Sequence, residues 1–142
     1  MGGGYTQAEK LPDNVNCGKT QFNAFVASDE SYLIVSVWGR EDSIGSVDYY
    51  IVYRNQADEW SEPVNLGSGI NTGSGQEYSP YVSPDGKYFF FMSTCIPDIN
   101  GEDSKPYSLS GLKGGFNAPE NGNSEIYWVD AGFIEELRPE GF

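Results

Sequence analysis

The stretch EYSPYVSPDGKYFFFMS, residues 77–93, sets Ser83-Pro84-Asp85-Gly86 between two short apolar runs. Proline fixes φ, Asp bonds to nearby backbone and Gly accepts positive φ, so the tetrapeptide reads as a tight turn joining two strands. A looser copy, QFNAFVASDESYLIVSV, occupies residues 21–37. There Val26 aligns with Val82, Asp29 with Asp85 and Tyr32 with Tyr88, while Phe22 and Phe25 meet Tyr78 and Tyr81. Upstream, YTQAEKLPDNVNCG from Tyr5 lies over WSEPVNLGSGINTG from Trp60. Leu11 then matches Leu66, Val15 matches Ile70, and Asn16 and Gly18 match Asn71 and Gly73. A repeat of about 50 residues marks an array of supersecondary units.

Each unit reads as four strands. Strand a is Phe22 to Ser28, or Tyr78 to Ser83; strand b is Tyr32 to Val37, or Tyr88 to Ser93; strand c is Tyr49 to Arg54, or Ile126 to Val129. Strand d spans Trp60 to Leu66, and its Pro63 and charges suit an outer edge. The runs YFFFM and YYIVY are apolar without alternation, the pattern of strands buried on both faces. Stacked four-stranded sheets with polar outer edges are the parts of a β-propeller. The expected fold is therefore all-β: two four-stranded antiparallel blades in one domain over residues 1–142. It holds a d-like strand at 5–11, a blade-like repeat at 21–67, and a second at 77–138 with a long insertion at 94–124. AGFIEELRP, after the last strand, lacks the Trp-Ser-Glu-Pro pattern and reads as a short helix, so the second blade lacks a strand d while the N-terminus has one to spare.

SPYVSPDGKYFFFMS and DEWSEPVNLGSGINTGSGQEYSP resemble the TolB-like, WD-repeat-like β-propeller repeats of bacterial proteins, some of them joined to OmpA-like domains. Asp48 and Glu125 stand where that pattern has an acidic residue opening an Ile-Tyr strand. The likeness covers nearly the whole chain, but the first repeat departs from it, with Ala27-Ser28-Asp29-Glu30 in place of Ser-Pro-Asp-Gly. The resemblance implies a scaffold used for binding and for several enzymes, and a periplasmic or secreted setting; it does not supply an activity. MGGGYTQAEK has neither the charged start nor the apolar core of a signal peptide.

Composition excludes several function classes. With 8 Lys and Arg against 21 Asp and Glu, the net charge is −13. Such a surface repels phosphate backbones and anionic lipid, so neither nucleic acid nor a membrane is an expected partner. The chain has no His, which removes Ser-His-Asp, Cys-His and His-zinc chemistry from it. Cys17 and Cys95 cannot build a disulfide scaffold and are expected to be reduced, although strand order puts both on one rim.

The candidate sites are few. The starts of the a strands, Gln21 and Asn23 with Glu77 and Ser79, are the expected lining of a central channel, where they satisfy backbone groups near the axis, the favoured reading, or bind a small polar ligand. Within the insertion, DINGED sets Asp98, Asn100, Glu102 and Asp103 about Gly101, an oxygen-rich turn able to take calcium but without the distal Glu and flanking helices of an EF-hand, so a plain polar turn is the favoured reading. The insertion is about 20 residues longer than its counterpart, rich in Gly, Ser, Asn and Pro, and expected to be the most mobile region. Arg40 and Asp48 are expected to pair across the first b–c loop. Tyr107, Phe116 and Trp128 are aromatics able to stack on sugars, with core packing favoured for Trp128. The leading reading is a non-catalytic binding or assembly module for a protein or glycan. The alternative is a glycan hydrolase with a carboxylate or calcium site at the channel mouth. Two blades cannot close a ring of about 4–8, so a homo-oligomer is expected, a trimer above others, with a larger propeller or a non-propeller dimer as alternatives.

Overall fold

The structure, a computed structural model, describes residues 4–96 and 108–142. Its elements are β1 (Thr20–Val26), β2 (Tyr32–Trp38), β3 (Val47–Tyr53), β4 (Val64–Asn65), β5 (Glu77–Val82), β6 (Tyr88–Ser93), α1 (Leu109–Phe116), β7 (Glu125–Asp130) and α2 (Phe133–Glu136). Two antiparallel sheets result, a four-stranded one in the order β1-β2-β3-β4 and a three-stranded one in the order β5-β6-β7. The chain is thus mostly β, as its sequence implies.

The repeat carries through to register. Val26 pairs with Leu33 and Val82 with Phe89; Ile34 pairs with Ile51 and Phe90 with Trp128. Both inner hairpins shift register midway, between Gln21 and Ala24 and between Tyr78 and Tyr81. Their turns share one frame: Glu30 N–H donates to Ala27 O, and Gly86 N–H to Ser83 O. Glu30 holds the left-handed backbone, φ 60°, that Gly86 holds at φ 72°.

The sheets stack face to back. The inner face of the first sheet presents Ile34, Tyr49, Ile51 and Tyr53, and the second sheet answers with Val82, Phe89 and Phe91. Tyr49 sits edge-on to both Phe89 and Phe91. Ile134 of α2 closes this core, and Tyr53 Oη donates to Ile134 O at 2.6 Å. The first sheet's outer face, Leu33, Val35, Val37, Tyr50 and Val52, is covered by Val15, Cys17 and Trp60. Asn14 fixes that cover by donating to Trp60 O and Ser61 O.

Several expectations need correction. Strand d is two residues, Val64–Asn65, with a lone bridge from Trp60 to Arg54; Pro63 has no N–H to extend the ladder. Residues 5–11 form no strand and are exposed. The second sheet has three strands among the described residues, so the two sheets are not both four-stranded. The run YYIVY is buried throughout, but YFFFM alternates, because among the described residues only one face of the second sheet has a partner. Trp128 lies on the other, open face and is not core. Arg40 pairs with Asp42 at 2.8 Å rather than with Asp48. Part of the insertion is helical: Ser108 caps α1 by accepting from Gly111 N–H, and no residue of that helix is buried.

Candidate functional site

The edge strands β1 and β5 run beside each other, with edge-on contacts of Phe22 with Tyr78 and Phe25 with Tyr81. The four predicted lining residues divide in two along them. Asn23 and Ser79 occupy matching positions in the register shifts and are exposed. Ser79 has φ 58°, backbone that few non-glycine residues adopt. Gln21 and Glu77 turn away from solvent instead. Gln21 is half-buried and donates to Gly18 O at 3.1 Å, whereas Glu77 is fully buried.

Glu77 belongs to a clasp between the sheets. A parallel bridge joins Val47 to Gln76 there. Glu77 Oε1 accepts from Thr72 Oγ1 at 2.9 Å and from Ser93 Oγ at 2.8 Å. Oε2 is buried with no hydrogen-bond partner among the described residues. Burial pushes the carboxyl above its usual range, and the two hydroxyl donors offset this only in part. Gly75 suits this place, because a Cβ would overlap Thr72 Oγ1 and press on Glu77 Oε1, so a larger residue would displace the clasp's side chains.

The second buried carboxylate, Asp48, is engaged at both oxygens. Oδ2 accepts from Ile44 N–H at 2.6 Å and from Asn65 Nδ2 at 2.9 Å, and Oδ1 accepts from Gly45 N–H at 2.9 Å. Asn71 extends the clasp by binding both backbone groups of Tyr49, its Oδ1 accepting from N–H and its Nδ2 donating to C=O. The unit therefore does structural chemistry: it satisfies buried backbone groups near the start of β3 and ties the inter-sheet loop down. Thr72, Asn65 and Ser93 were missed in the sequence. The match of Asn16 with Asn71 was the one signal that pointed there.

Open concavities lie elsewhere. Two hollows share Arg54, Asn55 and Gln56, one adding Asp29 and Glu30, the other Gly141 and Phe142. Arg54 is held between Glu30, at 2.7 Å, and Asp58. The calcium candidates Asp98, Asn100, Glu102 and Asp103, and the aromatic Tyr107, lie outside the described residues. Among the described residues no group of three or more Cys, Asp or Glu is placed to hold a metal ion. Cys17 and Cys95 are free and half-buried, and burial raises the Cys17 thiol pKa. Among the described residues no helix is long and apolar enough to cross a membrane. No protein-family model, no curated protein and no solved structure matches the chain.

Proposed function

We propose that the chain is a non-catalytic binding or assembly module whose two sheets serve as blades of a larger propeller-like ring completed by further copies. The observation that carries this reading is the face-to-back stacking of two repeat-related sheets, which leaves on the second sheet a copy of the surface that is buried on the first. The likeness of the second repeat to TolB-like propeller repeats supports it. The ligand is a protein or a glycan, met at the Arg54 hollows beside the β1–β2 turn or at Asn23 and Ser79 midway along β1 and β5. Glu77 and Asp48 are fully buried and engaged in the clasp, which favours binding over carboxylate hydrolysis of glycans. A glycan array and a protein-binding screen, run beside activity assays on the bound glycans, test the reading. Retention of an unaltered ligand is expected. Turnover of a glycan, abolished by EDTA, would overturn the non-catalytic assignment in favour of a calcium hydrolase using the insertion.

A further inference from the structure

We infer that the outer edge of β7 takes residues 5–11 of a second copy as its fourth strand, with Lys10 of that copy set against Glu125. The inference rests on the ring reading above and deepens it by naming the contact. Both halves of the missing strand pair stand open. Residues 5–11 are exposed and belong to no strand, held within the chain by an exposed Lys10–Asp13 ion pair at 2.9 Å and by Leu11 O accepting from Asn16 Nδ2, and among the described residues no strand flanks β7 on the side away from β6.

The register follows from the repeat. Residues 5–11 align with 60–66, of which Val64 faces Ile51 and Asn65 faces Tyr50 on β3. Ile51 and Tyr50 correspond to Trp128 and Tyr127 through their shared partners on the middle strands. Val64 and Asn65 correspond to Glu9 and Lys10. In the first sheet Asn65 donates to Asp48 at 2.9 Å. The same two places hold Lys10 and Glu125, again a donor on the added strand and a carboxylate on the receiving one, now with opposite charge; Glu125 Oε2 accepts from Glu120 N–H and Tyr127 Oη, and Lys10 would approach the carboxylate from the open edge.

Burial points the same way. Ile51 is 0% exposed and its equivalent Trp128 62%; Leu66 is 8% exposed and its equivalent Leu11 43%; Val82 is 5% exposed and its equivalent Val26 53%. Each open residue corresponds to one that the internal interface buries. The chain's own arm is turned from its own β7, because Val15 and Asn14 anchor it on the outer face of the first sheet. The contact is consequently heterologous, between different surfaces of two copies, and strand addition supplies backbone hydrogen bonds as well as side-chain fit.

Light scattering of the full chain over a concentration series, with circular dichroism as the check on folding, tests this. Wild type is expected to assemble. K10E and E125K should each weaken assembly by about tenfold or more, and the K10E/E125K double variant should recover most of the loss, since like charges brought together oppose association and a reversed pair restores it. L11D, altered at a residue exposed in the isolated chain, should weaken assembly with the fold intact even if E125K does not fold. Assembly of wild type that is indifferent to K10E and L11D overturns the strand exchange while leaving the ring reading standing. A folded wild-type monomer at every concentration overturns both. Loss in both single variants without recovery in the double overturns the assignment of Lys10 to Glu125.

Discussion

At the residue scale, two positions show what the repeats have kept and changed. Glu30 and Gly86 hold the same left-handed turn position, and only glycine does so without a Cβ penalty. Gly86→Ala is therefore expected to cost about 1 kcal/mol. Glu30→Gly relieves the strain but gives up an exposed ion pair to Arg54, which is worth at most about 1 kcal/mol. Thermal unfolding should show a lower Tm for G86A and an unchanged or higher one for E30G. Glu77 makes a prediction in pH. Burial raises its folded pKa above the ordinary 4.5, so the folded protein holds this proton more tightly than the unfolded chain. Stability from this group is fully present below the unfolded value and is lost as pH rises through the folded one. The hydrogen-bonded Asp29 and Asp85 are lowered and act with the opposite sign, so the comparison needs a variant. Between about pH 4 and about pH 7, Glu77→Gln should gain stability relative to wild type as pH rises; a constant offset across that range would remove Glu77 as the cause. The sequence placed Glu77 at a channel because strand position was legible. Its burial was not, because that depends on Ser93 and Thr72, brought to it by the register of β6 and by a loop that carries no local signal.

At the scale of the element, turn chemistry and apolar runs located the six long strands to within a residue or two, because both signals are local. What they missed depended on partners. YFFFM and YYIVY look alike, yet β3 has both faces covered and β6, among the described residues, has only one. The helix α1 escaped notice because three of its eight residues are glycine. These differences can be measured. Phe89, fully buried between the sheets, should cost about 3–5 kcal/mol on truncation to Ala. Trp128→Ala, on the open face, should cost well under half of that in the dissociated chain, as followed by urea unfolding below the assembly concentration. Equal losses would mean that the outer face of the second sheet is covered within a single chain. Hydrogen exchange gives a second check: the amides of β3 and β6 should exchange slowly, and those of α1, none of whose residues is buried, should exchange fast.

At the scale of the whole molecule, charge and shape pull against each other. Each copy carries −13, so copies repel at long range while their apolar faces fit at short range. Added salt shortens the reach of that repulsion, with a Debye length falling from about 30 Å at 0.01 M to about 10 Å at 0.1 M. The assembled fraction is therefore expected to rise with salt over this range, even though the Lys10–Glu125 contact is itself screened; sedimentation velocity at several ionic strengths reads it directly, and a fall would assign the association to charge pairing. The bond from Tyr53 to Ile134 has a consequence for synthesis. As the ribosome makes the chain from its N-terminus, β1 to β4 can pair as soon as they emerge, and Asn14 can already reach Trp60 and Ser61. The other side of that sheet must wait for Phe89, and for α2 beyond it. Through that interval a nascent chain shows Tyr49 and Ile51 to water, and it is then that a chaperone would find it.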